Sequence, residues 1–97
     1  MFVMRLFDPK RQLIQAGDEI RFTLVGGEES VTALVAGLHY FPSFAALYGA
    51  MIPRVGAVGL GYGEGEVPRP ADMLEYYSVD AINRFGVVGI EIKIRNS

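Results

Sequence analysis

Four basic residues near the start of the chain, Arg5, Lys10, Arg11 and Arg21, have the chemistry to hold phosphate oxygens. A guanidinium offers a planar fork of N–H donors that matches a phosphate or a carboxylate. Asp8, Asp18 and Glu19 are interleaved with them. The plainer reading is therefore ordinary surface pairing, in which each pair is weak. Aromatic rings supply a second kind of chemistry. Tyr62 lies in a glycine-rich stretch, and Tyr76-Tyr77 precede Ser78. A solvent-facing tyrosine can stack on a nucleobase, which is worth roughly 1–3 kcal/mol. A tyrosine turned inward only packs. One of Tyr76 and Tyr77 is expected to pack, and the other is left open. Tyr62 reads equally as a ring that closes over a ligand and as an anchor for its loop.

The remaining polar residues point to no catalytic centre. His39 is the one histidine, and it sits in an apolar stretch with no identifiable partner, so it reads as a structural side chain. Glu64, Glu66, Asp72 and Glu75 are numerous enough to hold a hard cation but lack EF-hand spacing. They read as solvated acids. The run from Gly59 to Gly65 lacks G-x-G-x-x-G spacing and is followed by no Gly-Lys-Ser/Thr, so it is a flexible loop and not a nucleotide fingerprint. With no cysteine, disulfides, thiolate zinc sites and thiol nucleophiles are excluded. No catalytic residue, metal ligand or cofactor is expected.

These residues must be positioned by one domain, since the chain has 97 residues, 51% of them hydrophobic and 21% charged. No apolar run is long enough to span a membrane, and the start lacks the form of a signal peptide. Both features, with the absence of cysteine, fit a cytoplasmic protein. The net charge is −2. That argues against broad, non-specific binding to duplex nucleic acid. The charge is uneven, however: residues 1–25 carry +1, residues 26–80 carry −5 and residues 81–97 carry +2. If the two ends pair as neighbouring strands, an acidic protein can still present a basic face.

Phe2–Leu6 reads as a strand, and Asp8-Pro9 as a turn. Lys10–Gln15 is too short to assign as helical or extended. Glu19–Val25 alternates, with Ile20, Phe22 and Leu24 on one face. Gly26–Glu29 is a hairpin connection to a long strand, Val31–Phe41, apolar on both faces and kinked near Gly37. Ser43 caps a helix through Phe44, Leu47, Tyr48 and Met51. Residues 53–70 are rich in glycine and proline and read as a loop. A short helix spans Asp72–Tyr77, Ser78 caps a turn over Val79–Arg84, and Val87–Arg95 is the last strand. This order gives an α+β fold, a small and mostly antiparallel β-barrel with short helical insertions.

The ordered set Arg5-Leu6-Phe7-Asp8-Pro9-Lys10-Arg11, Ile14, Gly17-Asp18-Glu19-Ile20 and Phe22 resembles the ASCH domain family. Further on, Leu38–Phe44, Leu47-Tyr48, Gly61-Tyr62, Met73, Tyr76-Tyr77-Ser78 and Phe85–Ile92 fit the same pattern. The resemblance covers nearly the whole chain. It implies a PUA-like barrel with a cleft beside a helix, and an RNA-related role. Some relatives in that family are enzymes: one branch removes the acetyl group of N-acetylcytidine with a lysine, a threonine and a glutamate, and another relative is a ribonuclease.

This sequence departs from the family at its start. The segment carrying G-x-K-x-x-E is missing, and Val3 stands where its glutamate is expected. Glu64 or Glu66 could supply a carboxylate, but the lysine and threonine have no counterpart. Amide hydrolysis needs an activated nucleophile and its base, so it is not expected of this chain. The missing strand also leaves an open barrel edge, which invites pairing. The expectation is an RNA- or nucleotide-binding domain with Arg5, Lys10, Arg11, Arg21, Tyr62 and Tyr77 around the cleft. A modified-nucleoside amidohydrolase or a ribonuclease relative that lacks its catalytic residues is one alternative. A non-enzymatic interaction domain, a homodimer through the open edge, is the other.

Overall fold

The computed structural model describes residues 2–23, 26–27 and 29–94. Four strands form one antiparallel sheet: β1 (Phe2–Leu6), β2 (Glu19–Thr23), β3 (Ser30–Phe41) and β4 (Val87–Ile94). Their order across the sheet is β1-β4-β3-β2, so the two ends of the chain do pair. Leu24, Val25 and Arg95, which the sequence placed at strand ends, lie outside the described residues. Helix α1 (Phe44–Gly59), a 3-10 helix (Pro70–Glu75) and helix α2 (Val79–Phe85) are inserted between β3 and β4. A second 3-10 turn, Arg11–Leu13, settles the form of the segment before β2. The fold is α+β, with the sheet curled into a half-barrel.

The sheet is buried on both faces only over the first half of β4, and the outer face of β2 is exposed. The residues of β4 alternate between two cores. Val87 faces Phe2, Met4 and Leu6 of β1 and, from α1, Phe44, Leu47, Tyr48 and Met51. Val88, Ile90 and Ile92 face the inside of the curl, with Ala33, Val35, Ile20 and Phe22. A strand covered on both sides reads as a near-continuous apolar run, which Val87–Ile90 shows before Glu91 interrupts it. Gly89 makes the helix-side packing close: a Cβ there would lie 3.4 Å from the Phe2 ring and 3.5 Å from Leu47.

The long strand β3 was apolar on both faces because its phase changes along its length. The register against β4 shifts between Val35 and Gly37, leaving Ala36 as the extra residue of a bulge. Before the bulge Ala33 and Val35 point into the curl; after it Leu38 does. A bulge bends its strand and increases the local twist, which helps to curl the sheet. The preceding loop is tied to the bulge, with Gly17 N–H donating to Val35 O and Val35 N–H to Asp18 O, each at 2.8 Å.

Both predicted serine caps form. Ser43 Oγ accepts from Ala46 N–H and Ser78 Oγ from Ala81 N–H, each at 3.1 Å. The loop expected from residue 53 is corrected: α1 runs on through Pro53 to Gly59, kinked at Gly56 (φ 72°, ψ 175°). Val55 and Leu60 still reach the core from this segment, and that burial outweighs the poor helix propensity of Pro53 and Gly56.

Gly86 ends α2 at φ 72°, ψ −171°, a region open essentially only to glycine, and a Cβ there would meet Phe41 O at 3.1 Å. Gly86→Ala is expected to destabilise the fold by about 1–3 kcal/mol. Gly89→Ala, with ordinary contacts and no positive φ, is expected to cost less. Thermal unfolding of the two variants checks the order.

Candidate functional site

As an edge strand, β1 pairs with β4 on one side only, and among the described residues no strand lies beyond it. Phe7 N–H donates to Gly86 O at 2.9 Å, which fixes the phase of the ladder. Hydrogen-bonded pairs alternate along an antiparallel ladder. Val3 and Arg5 therefore exchange bonds with Ile90 and Val88, while the backbone groups of Phe2, Met4 and Leu6 point outward. One of these is already used: Arg5 Nη1 donates to Met4 O at 2.8 Å.

A groove of about 590 Å³ runs along this edge. One wall is β1, from Phe2 to Arg5; the other is Leu60, Gly61, Met73, Tyr76 and Tyr77. It continues into a second recess of about 380 Å³ lined by Tyr62, Glu66, Asp72 and Glu75. The groove thus runs from a cation at Arg5 to an acidic end. On the inner side of the same strand lies a smaller cavity, about 130 Å³, lined by Val3, Ile14, Ile20, Phe22, Ile90 and Ile92. Arg5 and Arg11 also line it. Residues of both β1 and β2 line this cavity, so the curl brings opposite edges of the sheet to one space.

The structure brings some of the expected site residues together and separates others. Arg5 lines both the groove and the inner cavity. Arg11 joins it at the cavity while pairing with Asp8 at 2.6 Å. Burial pushes the Asp8 carboxyl up, but the Arg11 backbone and guanidinium, with the Lys10 charge, outweigh it and hold Asp8 below its ordinary value. Lys10 is exposed beside this pair. Arg21 stands apart: Ile20 and Phe22 turn inward, so strand alternation sends Arg21 to the outer face of β2.

Tyr77 is half-buried and stacked on Phe44, with centroids 5.9 Å apart. Tyr76 is 71% exposed and lines the groove. Of the pair, Tyr77 packs on Phe44 and Tyr76 is the solvent-facing ring, and both line the groove. Nothing in their shared sequence position distinguishes them; the 3-10 helix before them decides which one turns inward. Tyr62 is an anchor. The Asp72 carboxylate can only accept, so Tyr62 donates to it at 2.8 Å, and Tyr48 donates to Tyr62 at 2.8 Å. This relay ties the glycine-rich loop to α1. Glu66 is occupied locally, accepting from Gly63 N–H at 2.7 Å. His39 has a partner after all: its Nε2 lies 3.7 Å from Glu91 Oε2, and its ring lies 5.4 Å from Phe2. Sequence spacing hid that contact because it crosses from β3 to β4. Among the described residues, no cluster of three His, Asp or Glu side chains could hold a metal ion, and no helix is long and apolar enough to cross a membrane.

Burial raises the Tyr48 phenol, and its bond to Tyr62 raises it further. Burial also raises Tyr62, with the Asp72 contact adding to it against the opposing bond from Tyr48. Both phenols start from an ordinary value of 10.0 or, when unfolded, near it. The stabilisation is therefore complete below about pH 10 and declines as pH rises toward the folded values. Tyr62→Phe is expected to cost about 1–3 kcal/mol by stranding the Tyr48 hydroxyl. It should also flatten the alkaline loss of stability, read by urea unfolding across that range.

No family model matches the chain, and no curated protein matches it. Two solved structures do. The crystal structure of the hypothetical protein PH0355 is 26% identical, with a TM-score of 0.69, and the match covers 97% of this chain and 81% of that one. The solution NMR structure of protein PF0455 from Pyrococcus furiosus is 26% identical, with a TM-score of 0.71, over 99% of this chain and 81% of that one. This chain is similar to both across almost its whole length.

Proposed function

We propose that this chain binds a short single-stranded RNA segment or a nucleotide ligand in the groove beside β1. The observation that carries the reading is the pairing of Arg5 with the exposed Tyr76 on walls of one groove. Stacking on Tyr76 would place a base, and Arg5 would hold a phosphate. The acidic continuation at Glu66, Asp72 and Glu75 repels further phosphates, so the site suits one or two nucleotides and not a long strand. The resemblance to the ASCH family, with its RNA-related role, agrees with this. Arg21, on the outer face of β2, has no part in it; Lys10 and Arg11 add attraction from the far side of Arg5.

A second reading, an interaction domain, is favoured by the outward backbone groups of Phe2, Met4 and Leu6 in a mostly apolar edge strand. Such an edge takes a further strand. Two copies could pair there antiparallel about Met4. Both readings use β1, so they compete for one surface.

Fluorescence anisotropy with short single-stranded RNA and a folded tRNA, at low and moderate salt, tests the proposal. Tyr76→Ala is expected to weaken binding of the short RNA roughly 5- to 150-fold, the equivalent of about 1–3 kcal/mol. Arg5→Gln is expected to make the salt dependence shallower by about one unit of slope. Absence of binding at low salt overturns the reading. A mass that doubles with concentration in light scattering, in the same samples, would move the assignment to the second.

A further inference from the structure

The groove leaves the inner cavity of the half-barrel unassigned. The geometry points to this cavity as a separate ligand site that takes a small carboxylate bearing one apolar ring. Three features of the cavity select that chemistry. The first is size. At about 130 Å³ it is comparable to an engineered hydrocarbon cavity of ~150 Å³ that holds benzene. It has room for a single six-membered ring.

The second feature is the lining. Val3, Ile14, Ile20, Phe22, Ile90 and Ile92 present only hydrocarbon. A nucleobase carries donors and acceptors around its edge, and in this cavity they would be buried without partners, at a cost. The lining therefore rejects the ligand proposed for the groove and accepts a ring whose polarity is confined to one end.

The third is charge. Among the described residues, the cavity's polar side chains are Arg5 and Arg11. Each has one nitrogen engaged, Arg5 Nη1 with Met4 O and Arg11 Nη1 with Asp8. The other N–H groups of both forks remain, and the two arginines with Asp8 leave a net charge of +1. A carboxylate matches a guanidinium fork in shape and sign. Ile14, Ile20 and Phe22 are apolar yet only half-buried, so the space they surround is one that a ring would finish covering.

Benzoate is the probe. Benzamide supplies the same ring without the charge, and acetate the charge without the ring. Methyl NMR of the valine and isoleucine residues, with calorimetry for affinity, reads the outcome. Benzoate is expected to shift the methyls of Val3, Ile14, Ile20, Ile90 and Ile92 and to bind at least about tenfold more tightly than benzamide or acetate. Arg11→Gln should weaken benzoate by a similar factor. Ile14→Phe, which places a ring of the protein's own in the cavity from a half-buried loop position, should abolish the shifts. Equal binding of benzoate and benzamide would overturn the proposal, as would shifts confined to the groove around Met73 and Tyr76. Retention of binding in both variants would do the same.

Discussion

The first half of one strand, Val87–Ile90 of β4, is covered from both sides, and the rest of the molecule follows from that. On its helix side Val87 packs with α1 residues, and a Cβ at Gly89 would sit in van der Waals contact with Phe2 and Leu47. Its inward residues, Val88, Ile90 and Ile92, form the floor of the curl. A strand of this kind needs a neighbour on each edge. It has β3 on one and β1 on the other, and among the described residues no strand lies beyond β1.

That arrangement makes β1 the hinge between structure and function. Its inward backbone groups hold the sheet together, and its outward ones open on a groove. Its side chains divide the same way. Phe2, Met4 and Leu6 belong to the helix-side core, and Val3 and Arg5 to the curl. Arg5 is thus placed to serve two recesses of opposite character: a long groove with a polar far end, and a small hydrocarbon cavity. Arg5 lines both recesses, whereas Tyr76 lines only the groove and Arg11 only the cavity.

Much of the fold was legible in the sequence. The alternation of Ile20 and Phe22, the serines at 43 and 78 and the turn at Asp8-Pro9 are local signals with local causes. The bulge was visible only as a kink near Gly37, because a one-residue phase shift disguises alternation as uniform hydrophobicity. The continuation of α1 past Pro53 was not legible. Its cause is the burial of Val55 and Leu60, a tertiary effect that opposes local propensity. At the site, Arg21 stands apart from Arg5 and Arg11 because its parity on β2 sends it to the outer face, a phase that the alternation of Ile20 and Phe22 already carried. The two cavities were illegible because each is lined by residues from distant segments. Tyr62 and Tyr76 were visible as rings, but their roles depend on Asp72 and on the course of the 3-10 helix.

The edge of β1 is open, and its alternate backbone groups face the groove. Amide hydrogen exchange resolved at single residues tests this most directly. The account predicts that the amides of Val3, Arg5 and Phe7, which bond toward β4 and Gly86, are protected, and that the amide of Met4 between them exchanges fast. A Met4 amide as slow as those of Arg5 and Phe7 would contradict the account, because it would mean that the edge is covered.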